Sequence, residues 1–173
     1  MRQTAHAFTA QEGAGAMGYL LFLPAAYGEN GHLRWPLILF LHGAGERGSD
    51  LERLRGHGLT RILEERADSF PFVVVSPQCP AETRWVDHLD TLSALLDEVV
   101  RTHAIDEQRV YLTGMSMGGA GAWALALRYP DRFAAVAPIC GPRQLQAEIA
   151  ERMHVLRDTP EWVFHGAKDE VVP

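Results

Sequence analysis

Apolar residues fall in two rhythms along this chain. Leu37-Ile-Leu-Phe-Leu41 and Phe72-Val-Val-Val75 are continuous apolar runs. They lack the polar alternation of a strand that faces water, so they predict strands covered on both faces. Leu89, Leu92, Leu95, Leu96, Val99 and Val100 recur at helical spacing and predict one amphipathic helix. Tyr19–Leu23, Arg109–Leu112, Ala134–Ile139 and Glu161–Phe164 read as further strands, and Thr4–Thr9 as an outer, antiparallel one. Three more helices are predicted. One spans Asp50–Arg66, interrupted near Gly56 and Gly58; one starts after Ser116 and runs to about Tyr129, where Pro130 stops it. The third, Arg143–Leu156, has Leu145, Ile149 and Met153 four apart. Strands alternating with helices imply an α/β fold, with a mostly parallel central sheet and helices on both faces. Leu37–Leu41 and Arg109–Leu112 should be adjacent at its centre. Ligands of such sheets bind at the carboxyl ends of the strands. The loops 42–48, 76–87, 113–118, 140–142 and 165–170 each follow a strand, so they should converge on one face.

Composition narrows the field. The 173 residues suit one domain, and 47% hydrophobic with 22% charged residues is ordinary globular usage. A formal net charge of −6 argues against nucleic acid as a partner, because neutralising phosphates needs a basic face. No apolar run reaches the roughly 20 residues of a membrane span. The stretch Met17–Ala26 is apolar enough for a signal segment, but its leader carries Glu12 and one distant basic residue, Arg2. It is read as a buried strand. Cys79 and Cys140 make no disulfide framework, and no Cys/His spacing suits zinc. The expectation is two free thiols, a cytoplasmic location, no cofactor and no metal.

The densest chemistry is Gly114-Met-Ser-Met-Gly118, a G-x-S-x-G between a predicted strand and a predicted helix. Such a turn pushes the serine out at its tip, and glycines on either side remove the Cβ atoms that would collide. Ser116 is therefore the candidate nucleophile. Attack by a serine builds an oxyanion that needs N–H donors. Met117, the residue after the serine, supplies one, and Ala44 in the loop His42-Gly-Ala-Gly45 supplies the other. The same loop spells G-x-G-x-x-G, the dinucleotide fingerprint. That reading is set aside because Glu46 would face a pyrophosphate and the next strand lacks an acid for the ribose. Asp169, just past the last predicted strand, is placed to orient a histidine base, with Glu170 as the alternative acid. Trp85 lies in a loop on the active face, where substrate binding and packing are both open; Trp123 reads as core. Glu46 and Arg47 are expected to pair and hold their loop.

The segments 36–50, 73–85, 109–141 and 161–173 together resemble the α/β-hydrolase superfamily. More narrowly, they are similar to bacterial serine carboxylesterases of the phospholipase/carboxylesterase and dienelactone-hydrolase-like branch. The resemblance implies acyl transfer through Ser116, with Ala44 and Met117 as oxyanion hole and Asp169 as triad acid. It implies His42 and His165 as backbone braces and a catalytic histidine after the acid; small, soluble or aryl esters are expected as substrates because only 142–159 is available as a lid. The chain runs only four residues past Asp169, to Pro173. The expectation is therefore a single domain, 1–173, that is C-terminally incomplete and lacks the usual last strand and helix. His154, in the only lid-like segment (142–159), is the substitute base to test. A peptidase and a catalytically silent binding domain stay open as rivals. An exposed edge at 161–164 would allow a homodimer.

Overall fold

The computed structural model describes residues 3–10, 15–141 and 150–172. Six strands form one sheet: β1 (Gln3–Thr9), β2 (Ala16–Phe22), β3 (Trp35–Leu41), β4 (Val73–Pro77), β5 (Ile105–Met115) and β6 (Ala135–Ile139), in spatial order β1-β2-β4-β3-β5-β6. β1 and β2 pair antiparallel, as do β2 and β4. From β4 through β3 and β5 to β6 every pairing is parallel. The predicted centre holds, with Leu37 beside Val110 and Leu41 beside Gly114.

The pleat splits the core. One face carries Leu37, Leu39, Leu41, Val73, Val75 and Leu112, packed with Leu92, Leu96 and Val99 of α2 (Leu89–Thr102) and Ala122 and Leu125 of α3 (Met117–Arg128). The opposite face carries Phe22, Phe40 and Val74 around Leu63 of α1 (Gly58–Arg66). The predicted break in the first helix is real: a 3-10 stretch, Leu51–Gly56, precedes α1.

Among the described residues, cover on the second face is partial. Beside α1, over β5 and β6, lies a groove of about 750 Å³, lined by Phe40, Ile62, Tyr111, Met115, Ile139 and Trp162 among others. Glu161 also borders it; burial raises its carboxyl above the usual range, and its Oε1 has no hydrogen-bond partner.

The predicted strand 161–164 is a correction. It bridges β6 only at Glu161 opposite Val136 and Phe164 opposite Ile139. The Val136 N–H donates to Pro160 O and the Cys140 N–H to Phe164 O. Between them the Trp162 N–H donates to Val136 O and the Phe164 N–H to Pro138 O, both at 3.0 Å; the bond to Trp162 O is missing because Pro138 has no N–H to give. Of the predicted helix Arg143–Leu156, residues 143–149 lie outside the described residues; 150–152 are helical and Met153–Leu156 form a 3-10 turn.

Candidate active site

The sheet register brings the predicted loops to one end. Leu41 is level with Gly114, Met115 with Ile139, and Ile139 with Phe164. The next residues in the chain are His42, Ser116, Cys140 and His165, all at the carboxyl ends of their strands.

Ser116 caps α3 with φ 56° and ψ −117°. A side-chain-bearing residue adopts this conformation only when its surroundings impose it. Here its N–H donates to Ile139 O at 2.9 Å, and its carbonyl accepts the Ala120 N–H at 3.0 Å. The flanking glycines are forced by contact. A Cβ on Gly118 would stand 1.9 Å from Leu41 O, and one on Gly114 would stand 2.3 Å from Gly118 O. Helix and strand therefore approach backbone to backbone, and the serine lies half-buried at the tip. Met117 opens α3, where the first N–H groups have no intrahelical acceptor.

The loop after β3 lies against this elbow. A Cβ on Gly43 would be 3.8 Å from Ser116 Cβ. His42 is buried and occupied at both ring nitrogens. Its Nε2 accepts the Cys79 N–H at 2.9 Å, so Nδ1 carries the proton and donates to Gly43 O at 2.6 Å. Burial is the main cause that pushes its pKa below the ordinary histidine value. The ring is thus neutral, and Glu46 Oε2 at 3.8 Å makes no ion pair with it. Among the described residues no peptide is cis, so the N–H of Ala44 points opposite to the captured carbonyl of Gly43. Ala44 is exposed and begins a 3-10 turn, Ala44–Glu46.

Asp169 sits in a tight turn past Phe164. Its Oδ1 accepts the N–H groups of Val172 and Val171 at 2.8 and 2.9 Å. These bonds hold its carboxyl below the usual carboxylate range, so it is an anion at neutral pH. His165 braces the same turn, its Nε2 donating to Val172 O at 2.6 Å. Among the described residues no histidine ring is hydrogen-bonded to Ser116 or to Asp169.

Three expectations are corrected. Trp85 is fully buried, so it cannot line a substrate pocket. Its indole N–H donates to His42 O at 2.9 Å, and its ring fills the space that a Cβ on Gly121 would need. It braces the loop after β3 from beneath. Glu46 and Arg47 do not pair; Arg47 donates instead to the carbonyls of Ala44 and Thr83. His154 is at the wrong end of the molecule. Arg152 beside it donates to Leu127 O, in the last turn of α3, and Thr159 to Pro130 O, just past that helix. α3 spans 12 residues, or about 18 Å, and Ser116 caps its other end.

Sequence reasoning missed Arg53 and Gln78, which hold the loop through its carbonyls. Arg53 carries no sequence signal. Gln78 carries a faint one, as a lone amide between Pro77 and Cys79 at the end of an apolar run.

Cys79 is buried, Cys140 is partly exposed, and both thiols are free. They follow β4 and β6, three strand spacings or roughly 14 Å apart across the sheet. Among the described residues no group of three His, Cys, Asp or Glu is placed to hold a metal ion, and no helix is long and apolar enough to cross a membrane.

Known proteins resemble this chain. Residues 17–160 match the family model described as Esterase PHB depolymerase. A bifunctional acetylxylan esterase/xylanase of Neocallimastix patriciarum is 32% identical over 148 residues, covering 79% of this chain and 20% of that protein. Poly(3-hydroxyalkanoate) depolymerase C of Paucimonas lemoignei is 29% identical over 121 residues, covering 61% of this chain and 28% of that protein. The crystal structure of a thermostable esterase superposes with TM-score 0.81 at 30% identity, covering 99% of this chain and 48% of that one. The chain thus spans between about a fifth and about half the length of these relatives. The fold is that of the α/β-hydrolase esterases, and the chain belongs to the PHB depolymerase esterase family.

Proposed function

We propose that this chain carries the catalytic core of a serine carboxylesterase. Ser116 Oγ attacks the carbonyl carbon of an ester, the alcohol leaves, and water then releases the acid from the acyl-serine. The N–H groups of Ala44 and Met117 take the oxyanion, and Asp169 is the carboxylate that orients the base. The observation that carries this reading is the elbow itself: a serine at positive φ between two glycines that no other residue could replace, with the Gly43–Ala44 peptide against it.

The base is not one of the chain's histidines as they are placed here. Residues 1–173 alone are therefore expected to turn over esters weakly. Small acyl and aryl esters are the proposed substrates. The names of the relatives (acetylxylan esterase, poly(3-hydroxyalkanoate) depolymerase) and of a structural neighbour, the feruloyl esterase module of Clostridium thermocellum, support acids of that kind. Two free thiols support a cytoplasmic location.

Hydrolysis of p-nitrophenyl acetate, butyrate and octanoate by the chain and by Ser116→Ala is the test. Slow turnover that is fastest on acetate and absent from the variant is expected. Equal rates from the two proteins would refute the role of Ser116. Cleavage of peptide anilides in preference to the esters would favour a peptidase on this scaffold.

A further inference from the structure

Carbonyls of exposed loops ordinarily bond to water. In the loop after β3 each carbonyl from Gly43 to Arg47 is taken by a side chain. Gly43 O accepts from His42, and Ala44 O from Arg47 Nε at 3.1 Å. Gly45 O accepts from one terminal nitrogen of Arg53 at 2.8 Å, and Arg47 O from the other at 3.1 Å. Glu46 O accepts from Gln78 Nε2 at 2.8 Å, and the same nitrogen reaches Asp50 O at 2.9 Å. The Gly48 N–H closes the far end on Cys79 O at 3.0 Å.

A trans peptide that commits its carbonyl to one side commits the next N–H to the other. Holding five consecutive carbonyls therefore fixes where the loop's N–H groups point. The guanidinium of Arg53 spans two of them from the turn below, which a single point donor cannot do. Its charge, with that of Arg47, is also felt at the buried ring of His42, so it adds to the positive field at the loop. Ala44–Glu46 make a single 3-10 turn, which is too short to fix all five carbonyls by itself. The loop is three glycines in six residues and would otherwise be free to turn its peptides over.

We propose that Arg53 is a positioning residue for the reaction: with Gln78 it clamps the Gly43–Arg47 backbone so that the Ala44 N–H stays aimed at the oxyanion on Ser116. This rests on the esterase reading above and assigns a role to a side chain that touches no substrate.

The experiment measures phosphonylation of Ser116 by an alkyl fluorophosphonate, followed by intact mass, so that slow rates remain measurable. Wild type, Arg53→Ala, Arg53→Lys and Arg55→Ala are compared for maximal rate and half-saturating concentration. Amide exchange of residues 43–48 is measured on each. Misplacing a catalytic group by about 1 Å costs up to roughly 100-fold, so Arg53→Ala is expected to lose about 10- to 100-fold in maximal rate at an unchanged half-saturation. Its loop amides should exchange faster. Arg53→Lys should recover part of the rate, since it can reach only one of the two carbonyls. Arg55→Ala, on the same 3-10 stretch as Arg53, breaks the ion pairs to Glu52 and to Glu64 of α1 and the bond to Gln3 O, touches none of the loop, and should keep the wild-type rate. A wild-type rate in Arg53→Ala, or an equal loss in Arg55→Ala, would overturn the clamp. If Arg53→Ala does not fold, a wild-type rate in Arg53→Lys overturns it instead. If wild type is not phosphonylated on Ser116, the esterase reading fails and the catalytic role of Arg53 falls with it. The exchange data still report, separately, whether Arg53 orders the loop.

Discussion

Ser116 holds a backbone conformation that costs a residue with a Cβ about 1–3 kcal/mol. Ser116→Gly should therefore be more stable than Ser116→Ala by about 1 kcal/mol in urea unfolding, while both lose reaction at this position. A glycine variant less stable than the alanine one would show that the elbow stores no strain. His42 gives a second residue-scale test. It stays neutral in the folded protein because burial pushes its pKa down, whereas the unfolded chain takes up the proton below about pH 6.5. The stability it contributes is full above that pH and is lost as pH falls through the window below it. The urea midpoint should thus drop more steeply between pH 7 and pH 5 in wild type than in His42→Gln. Parallel slopes would contradict the assignment. The motif at Ser116 was legible in the sequence because the steric demand for Gly114 and Gly118 is local. The burial of Trp85 was not legible, since it depends on Gly121, 36 positions away, leaving room for an indole.

Among the elements, the contact of α3 with β3 is the least forgiving. The Gly118→Ala variant would place a methyl inside the van der Waals radius of Leu41 O, and nothing on either backbone can yield. A loss of about 3 kcal/mol or more is expected, visible as a fall in melting temperature. A variant within 0.5 kcal/mol of wild type (roughly the scatter of surface substitutions) would mean that α3 can shift. Element types read well from sequence where burial on both faces leaves an unbroken apolar run, as in β3 and β4. They read poorly at 161–164, where the apolar run is present but the partner strand carries Pro138. A strand needs its neighbour's N–H groups, and the sequence of one segment does not reveal what the other lacks. His154 as a substitute base failed for a similar reason: which end of α3 the residues around it pack on is a tertiary fact.

For the molecule as a whole, the sheet is covered by α2 and α3 on one face and only in part by α1 on the other. The open groove beside α1 should bind an environment-sensitive apolar dye. Ile62→Glu combined with Trp162→Ser should cut that fluorescence sharply without lowering the melting temperature, since both side chains are exposed. Unchanged fluorescence would place the dye elsewhere. His154→Ala should leave ester turnover as it was, because α3 lies between that histidine and Ser116. The central claim is that Ser116 is an addressable nucleophile beside a formed oxyanion loop. The direct test is peptide mapping by mass spectrometry after hours of exposure to a fluorophosphonate. One adduct, on Ser116, absent from Ser116→Ala, is the expected result. No adduct on Ser116, or the same mass gain in Ser116→Ala, would contradict it.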